Sequence, residues 1–246
     1  MATYLSAVII TLNEANNIAD CISSLSFCDE IIVVDSGSTD TTTELAFKLG
    51  AKVINQSWLG YGQQKQFAVE QATNNWVLCL DADERISPEL AKEIQDFMQE
   101  PNAAACQMPR CNRFMGRWLR HGEGYPDMSL RLFDRQQAFW SEDSVHEKVI
   151  CNAPIKSLQN DILHYSQETL HQYIEKQNKY TSIQADILTK NNKNISSTKL
   201  IMSPLIRFIK FYLVRQGFRD GVPGLVHICI GCFNSFIKYA KVRALK

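Results

Sequence analysis

The alternation of short apolar runs with helical patterns over the first hundred residues restricts the fold of this chain more than any other feature. Four runs have the character of buried strands, at residues 5–10, 31–34, 51–54 and 76–80. Helical patterns follow the first three runs, at residues 15–25, 41–49 and 62–72, and Ser87-Pro88-Glu89 begins a further helix that we expect to end near Gln99. Repeated strand–helix units predict an α/β fold, with a doubly wound, mostly parallel sheet that carries helices on both faces.

The strand–helix pattern weakens after Pro101. Strand-like pieces at residues 104–109, 129–133 and 145–150 are separated by a loop rich in arginine, glycine and aromatic residues. Residues 168–190 have a polar helical pattern, which ends in a polar break at 191–197. We therefore expect one domain with two halves, 1–100 and 101–190, and a separate tail at 197–246.

Charge is distributed unevenly along the chain. Residues 1–196 carry 17 Lys and Arg against 25 Asp and Glu, whereas residues 197–246 carry 9 basic residues and a single acid, Asp220. Apolar and basic residues are mixed in 199–216, and the apolar stretch 221–237 is interrupted by proline, glycine, histidine and asparagine. This composition predicts a basic, amphipathic helical tail that lies on an anionic membrane surface. The alternative is a helical pair that packs on the rest of the protein.

Cysteine usage and motif content bear on compartment and partners. The eight cysteines lack the spacing of a disulfide framework, and the N-terminus lacks the pattern of a signal peptide. Both observations favour a reducing cytoplasm. The acidic body and the lack of an RNA- or DNA-binding motif argue against a nucleic-acid partner.

Asp81-Ala82-Asp83 directly follows the apolar run 76–80. Two carboxylates at the end of a buried strand are costly unless a cation neutralises them, and oxygen ligands of this kind suit Mg²⁺ or Mn²⁺. We therefore predict that Asp81 and Asp83 hold a divalent cation together with phosphate oxygens. A solvated strand end is the alternative.

Two other polar stretches end predicted strands, at 11–14 and 35–38. Open parallel sheets bind ligands at the carboxyl ends of their strands, so these stretches and the two aspartates predict one nucleotide site. Each assignment has a simpler alternative. Asp35 can simply hold its own turn, and Lys65, on the helix 62–72, can be a solvated surface lysine without a role in binding. Neither a phosphate-binding P-loop nor a dinucleotide-binding glycine motif is present. The predicted nucleotide-sugar-binding residues are Thr11, Asn13, Glu14, Asp35, Gly37, Ser38 and Asp81, to which the family resemblance described next adds Lys65.

Three stretches together resemble a known family. The run 8–14, the Asp-Ser-Gly-Ser-Thr-Asp stretch at 35–40 and the Asp-Ala-Asp-Glu stretch at 81–84 are similar in order and spacing to the family 2 glycosyltransferases, which have the GT-A fold. A narrower resemblance is to bacterial enzymes that add glucose to the heptose of the lipopolysaccharide inner core. It rests on residues 60–65, 124–127, 131–133, 145–147 and 217–221.

The resemblance implies an inverting, metal-dependent transfer of a hexose from a UDP-hexose, with UDP-glucose expected, to a lipid-linked core oligosaccharide. It assigns nucleotide-sugar binding to 1–100, acceptor binding to 101–190 and attachment to the cytoplasmic face of the inner membrane to 197–246. For the catalytic base it favours Glu147. The more usual family pattern, a Glu-Asp pair, points instead to Glu142 and Asp143, and Asp127 is a further acid of this region.

Acceptor recognition is expected in the arginine-rich and aromatic part of the second half. Arginine can bind the acidic groups of a phosphorylated core in a bidentate manner, and aromatic rings can stack on sugars. A solvated arginine-rich loop is the alternative. The expected acceptor-binding residues are Arg117, His121, Tyr125, Asp127, Arg131 and His146.

Two other functional classes stay open on sequence alone. A sugar nucleotidyltransferase also uses a doubly wound sheet and paired aspartates, although it normally has a glycine-rich basic loop where this chain has Asn13-Glu14. A non-catalytic nucleotide-sugar-binding module would bind the donor without turnover.

Overall fold

The computed structural model describes residues 3–142, 147–166, 169–191 and 195–245. The chain forms two compact units, of which the first comprises Met1–Arg110 with Asp127–Tyr165 and the second comprises Cys111–Pro126 with Ser166–Lys246. The assignment of nucleotide binding to 1–100, acceptor binding to 101–190 and membrane attachment to 197–246 stays a prediction, because a structural division does not say what each part binds.

The first unit begins with four parallel strands. They are β1 (Leu5–Thr11), β2 (Glu30–Asp35), β3 (Lys52–Asn55) and β4 (Trp76–Asp81), in the spatial order β3-β2-β1-β4. Helices α1 (Ile18–Ser23), α2 (Thr42–Lys48) and α3 (Tyr61–Glu70) follow the first three strands. All seven residues of β1 are buried, because apolar clusters cover both faces of the sheet. The predicted alternation of strands and helices is confirmed.

The rest of the first unit makes the sheet mixed. The further strands are β5 (Glu84–Ile86), β6 (Ala105–Phe114), β7 (Arg117–Trp118), β8 (Asp127–Asp134), β9 (Ala138–Trp140), β10 (Val149–Cys151), β11 (Ile155–Ser157) and β12 (Ile162–His164). Strand β7 and the end of β6 belong to the second unit, and β9 and β10 form a separate two-stranded sheet. Helix α4 (Pro88–Gln99) begins at the predicted cap, where the Ser87 side chain accepts a hydrogen bond from the Leu90 amide. Strand β8 pairs antiparallel with both β4 and β6, and the sheet order continues β4-β8-β6-β12-β5. The α/β fold with helices on both faces is confirmed, and the parallel part lies mainly in the first four strands.

The second unit is mainly helical. Helix α5 (Leu170–Lys190) is followed by α6 (Ser197–Phe208), a π-helix (Ile209–Val214), a 3-10 turn (Gly217–Asp220) and α7 (Gly221–Ala244). A capping box at Thr169 begins α5, and the Ser196 side chain caps α6. A small core that includes Ala185 and Val242 packs inside this unit. Among the described residues, the segment Gly217–Ala244 is the one helix with the length and composition to cross a membrane.

Candidate active site

Two loops at the carboxyl ends of β1 and β2 are fastened to each other. The Asn13 amide donates a hydrogen bond to Ser38 Oγ at 2.8 Å, and the Thr39 amide donates to Asn13 Oδ1 at 2.8 Å. Asp35 Oδ2 accepts hydrogen bonds from the amides of Gly37, at 2.9 Å, and of Ser38, at 2.8 Å. Gly37 has a φ of +99°, a conformation that favours glycine. Four predicted nucleotide-binding residues thus lie together, and Asp35 holds its own turn.

Thr11 and Glu14 belong to the same edge of the sheet. Thr11 Oγ1 is buried and has no hydrogen-bond partner among the described residues. Glu14 Oε2 accepts a hydrogen bond from Asn17 Nδ2 at 2.7 Å. Burial raises the pKa of Glu14, and the bond from Asn17 opposes this shift. Glu14 therefore acts at least partly in shaping the loop that begins α1.

Asp81, at the end of β4, lies between two cations. Lys65 Nζ lies 3.2 Å from Asp81 Oδ1, and Arg131 Nη2 donates to Asp81 Oδ2 at 3.2 Å. Lys65 is itself buried, and its ammonium lies 4.9 Å from the ring centroid of Trp140. Burial alone would raise the pKa of Asp81, but Arg131 and Lys65 hold that pKa well below its usual range. Asp81 is therefore ionised at neutral pH.

A network of alternating charges continues behind Asp81. Glu84, which is fully buried, accepts a hydrogen bond from Arg131 Nη2 at 2.9 Å and from the Asp81 amide at 3.0 Å. Arg110 Nη1 lies 3.4 Å from Glu84 Oε1, and Arg110 Nη2 lies 2.8 Å from Asp127 Oδ2. Two predicted acceptor-binding residues, Asp127 and Arg131, are thus members of this network. Arg131 is only 5 % exposed, so its guanidinium positions Asp81.

Asp83 is paired with a histidine that sequence analysis did not single out. Asp83 Oδ2 lies 3.0 Å from Nε2 of His164, a residue that β12 places opposite Glu84 of β5. A carboxylate oxygen and an imidazole nitrogen are both suitable ligands for Mn²⁺, and the carboxylate also suits Mg²⁺. Within the part of the chain that the structure describes, no group of three or more His, Cys, Asp or Glu is gathered as in a closed metal site. A cation that also binds diphosphate oxygens and water needs no such group, so the residues present fit the predicted metal.

Glu147 joins the same cluster. Its Oε1 lies 3.4 Å from Lys65 Nζ, and its side chain is 22 % exposed. A Cβ atom on Gly62 would lie 2.2 Å from the Ser141 carbonyl oxygen and 3.4 Å from Glu147 Cβ. The contact with Glu147 is an ordinary one, whereas only a glycine at this position of α3 allows the Ser141 carbonyl group to approach so closely.

The other candidate bases differ in their surroundings. Glu142 is exposed and lines a cavity of about 530 Å³ beside α3 and β9, with Phe67, Phe139 and Trp140 among its neighbours. Asp143 and His146 lie outside the described residues. Glu147 is thus the candidate base that the structure brings next to Lys65 and Asp81.

Three predicted acceptor-binding residues lie in the second unit. Arg117 donates from Nη2 to the Arg219 carbonyl oxygen at 2.9 Å, and Tyr125 is half-buried. His121 Nδ1 lies 2.9 Å from Asp220 Oδ1, and the His121 amide donates to Asp220 Oδ2 at 2.8 Å. These contacts fasten the segment 111–126 to the 3-10 turn, a connection that sequence analysis missed.

Relatives of known sequence resemble this chain over nearly its whole length. An uncharacterized glycosyltransferase of Rickettsia typhi is 35% identical over 254 residues, which cover 98% of this chain and 87% of that protein. The lipopolysaccharide core biosynthesis glycosyltransferase LpsC of Rhizobium meliloti is 32% identical over 251 residues, which cover 97% of this chain and 91% of that protein.

Solved structures have a similar fold at lower identity. TarS 1–349 of S. aureus, in complex with UDP-GlcNAc, has a TM-score of 0.50 and 18% identity, over 99% of this chain and 84% of that one. Glucosyl-3-phosphoglycerate synthase of Mycobacterium tuberculosis, in complex with Mn²⁺, UDP and glucosyl-3-phosphoglycerate, has a TM-score of 0.50 and 17% identity, over 79% of this chain and 82% of that one. Both likenesses concern the fold, which is of the GT-A type.

The sequence model of glycosyl transferase family 2 matches residues 6–157, which include β1 except for Leu5, all of β2 to β4, both aspartates and Glu147. This match favours transfer of a sugar over the nucleotidyltransferase and binding-module alternatives. The chain therefore belongs to glycosyltransferase family 2 and is a glycosyltransferase.

Proposed function

We propose that this enzyme transfers a hexose, most simply glucose from UDP-glucose, with inversion to a lipopolysaccharide or lipooligosaccharide core. The observation that carries the proposal is the position of Lys65, which contacts both Asp81 and Glu147. A candidate base and a candidate diphosphate site thus lie within one charged cluster. The likeness to LpsC supports the acceptor class, and neighbours with bound UDP or UDP-GlcNAc support the nucleotide.

The nucleotide would lie against the fastened loops that follow β1 and β2. Asn13 and Ser38 keep these loops together, and Gly37 leaves open space where another residue would have a side chain. Lys65 would contribute positive charge beside the diphosphate. This arrangement binds the leaving group without a glycine-rich phosphate loop.

Asp83 and His164 would hold Mg²⁺ or Mn²⁺, with Asp81 acting through water or the sugar. When bound, the cation would stabilise the negative charge that develops on the departing diphosphate. Arg131 and Glu84 keep Asp81 in a fixed orientation from behind.

Glu147 would act as the general base. As an acceptor hydroxyl attacks the anomeric carbon, the new C–O bond forms, the bond to the diphosphate oxygen breaks, and the hydroxyl proton passes to the Glu147 carboxylate. Attack from the face opposite the leaving group inverts the anomeric configuration. The ammonium of Lys65 lies 3.4 Å from Glu147 Oε1 and helps to hold the carboxylate in place. Glu142 and Asp143 are the other candidates for this role.

The acceptor would be bound by Arg117, His121, Tyr125 and His146. Guanidinium and aromatic groups suit a phosphorylated oligosaccharide. Because such an acceptor is lipid-linked, we place the enzyme at the cytoplasmic face of the inner membrane, as a peripheral protein.

Calorimetric titration of UDP-glucose and UDP-galactose, with and without Mn²⁺, tests the donor and the metal together. We expect binding that requires Mn²⁺, that Asp83→Asn weakens at least about 100-fold, and that His164→Asn weakens about 10- to 100-fold. Asp96→Asn, which changes an exposed acid of α4, is the matched control and should bind normally. Binding of either donor that is indifferent to both Mn²⁺ and Asp83→Asn would contradict the metal assignment.

A further inference from the structure

Apolar side chains form an exposed stripe along α6 and the π-helix. Ile201, Leu205, Ile209 and Leu213 are each between 52% and 57% exposed, and they recur every fourth residue, which places them on one side. Met202 and Ile206 are exposed beside them. Within the described chain, none of residues 197–214 is buried. We call the four spaced residues the docking face.

The exposed charges of residues 197–220, which include the docking face, are of one sign. Lys199, Lys210, Arg215 and Arg219 are exposed, and the sole acid of this part, Asp220, is buried against His121. An exposed apolar stripe bordered by cations complements a bilayer with anionic headgroups.

Helix α7 is built as the centre of a helical bundle. Lys241 Nζ donates to Asn178 Oδ1 at 2.7 Å and to Ser182 Oγ at 2.8 Å, both on α5. Asn234 Nδ2 donates to Gln177 Oε1 at 2.8 Å. Crossing a membrane would break these bonds and leave polar groups unsatisfied in lipid. The geometry therefore favours a bundle that lies on the membrane.

The segment 111–126, which we call the arm, is fixed to the same body. The amides of Arg120 and His121 donate to Asp220 Oδ2 at 3.0 Å and 2.8 Å, and the Gly122 amide donates to the Arg215 carbonyl oxygen at 2.9 Å. An ion pair between Glu123 and Arg207 adds a contact with α6. The arm and the docking face must therefore move together.

We infer that the docking face lies on an anionic phospholipid bilayer with α6 parallel to its plane, and that this contact holds the arm near the membrane. The arm carries Arg117, His121 and Tyr125, so docking would present the acceptor-binding groups to a lipid-linked sugar. This last consequence rests on the proposed function, whereas the lipid contact itself does not.

Sedimentation with vesicles of phosphatidylglycerol and phosphatidylethanolamine, compared with vesicles of phosphatidylcholine alone, tests the lipid contact. We expect the full chain to sediment with the anionic vesicles, and to be released as salt is raised. Leu205→Ser with Leu213→Ser should weaken partitioning about tenfold or more, because two half-exposed leucines no longer enter the interface.

Matched controls come from the first unit. Phe47→Ser with Leu49→Ser changes two exposed apolar residues at the end of α2 and should leave vesicle binding unchanged. Lys199→Gln with Lys210→Gln should weaken binding to anionic vesicles, whereas Lys48→Gln with Lys52→Gln should not. Circular dichroism of each variant verifies that it is folded.

Hydrogen exchange on the vesicles separates the possible arrangements. The inference predicts new protection at residues 201–214, and faster exchange of the Arg120 and His121 amides in Asp220→Ala with vesicle binding retained. Resistance of the bound chain to extraction by alkaline carbonate would overturn it in favour of a transmembrane α7. Self-association that Leu205→Ser with Leu213→Ser abolishes, without vesicle binding, would overturn it in favour of a second copy.

The two proposals can fail independently. Mn²⁺-dependent donor binding without any vesicle binding would refute the docking face and the membrane location, and leave the proposed transfer reaction standing. Vesicle binding in a chain that binds neither UDP-glucose nor UDP-galactose would support the docking face and contradict the proposed donor.

Discussion

Lys65 Nζ lies 3.4 Å from Glu147 Oε1, although the two residues are 82 positions apart in the chain. The same ammonium lies 3.2 Å from Asp81 Oδ1. A single buried cation thus links the proposed leaving-group side of the site to the proposed base.

Replacing Lys65 by methionine should therefore affect both the leaving-group side of the site, at Asp81, and the proposed base, Glu147. Removing one partner of a largely buried charge cluster leaves the others uncompensated, so we expect a loss of about 1–3 kcal/mol in the free energy of unfolding. We expect kcat/KM to fall at least about 100-fold, because Asp81 and Glu147 lose their common counter-charge. Urea unfolding and steady-state kinetics measure the two effects, with Lys52→Met at an exposed position as the control. Unchanged kinetics in the Lys65 variant would mean that the bridge is only structural.

The assignment of the base predicts a specific ranking of variants. Glu147→Gln should lower kcat about 10²- to 10⁴-fold and leave donor binding nearly intact, since a general base acts on the acceptor proton. Glu142→Gln should cost less than about tenfold, because Glu142 is exposed beside a separate cavity. Asp143→Asn is measured alongside. If that variant took the large loss and Glu147→Gln did not, the base would be Asp143.

Gly62 should not tolerate a side chain. In Gly62→Ala the new methyl group would meet the Ser141 carbonyl oxygen, so α3 or the backbone at Ser141 must shift. We expect a loss of about 1–3 kcal/mol in stability and a clear fall in kcat. Gln63→Ala, at the exposed neighbouring position, should leave both quantities nearly unchanged. A fully active Gly62→Ala enzyme would show that the close approach of Ser141 to α3 is not important for catalysis.

Glu30 should make stability depend on pH in the acid range. Burial raises the pKa of Glu30. Hydrogen bonds from Ser6 Oγ, at 2.6 Å, and from the Thr73 amide, at 2.9 Å, lower this pKa by more than burial raises it, so the net shift is downward. A carboxyl whose pKa is lower in the folded state stabilises the fold above its unfolded pKa, and this contribution disappears as the pH falls through the folded value. We expect stability to decrease below about pH 4.3, the unfolded value for glutamate.

Glu30→Gln provides the comparison. It should lower stability by about 1 kcal/mol at neutral pH, and the difference from the wild type should shrink as the pH falls below 4. Denaturant unfolding at a series of pH values measures this. A difference that stays constant between neutral pH and about pH 3 would contradict the assignment.

The first hundred residues could be predicted because their signals are local. Apolar runs, helical spacing and the Ser87 cap each involve neighbours in sequence, and β1 to β4 and α4 lie where these signals indicate. Some boundaries differ for local reasons. Helix α1 begins at Ile18 rather than Ala15, because the amides of Asn17 and Ile18 first donate to the Glu14 carbonyl oxygen in a turn. Strand β6 continues past Pro109 to Phe114, since β7 pairs with its last residues.

Which residues surround the two aspartates could not be predicted from sequence, because strand pairing brings them together from distant parts of the chain. His164 meets Asp83 only because β12 pairs with β5, and Arg131 reaches Asp81 only because β8 lies beside β4. An arginine in a polar loop-rich region is usually solvated, so its pattern gave no sign of burial between two carboxylates. The motif Asp81-Ala82-Asp83 was visible, whereas the counter-charges that orient it come from residues 16 and 50 positions away.

The antiparallel pairing of β8 with β4 has a consequence for dissecting this enzyme. A fragment comprising 1–100 would contain every predicted nucleotide contact, but it would expose one side of β4 as an unpaired edge and leave Asp81 without Arg131. Such a fragment should aggregate rather than fold into a small domain that binds the nucleotide sugar. The smallest fragment that folds by itself must extend at least to Asp134, the end of β8. The chain therefore cannot be cut at residue 100, although the predicted nucleotide contacts end before that residue.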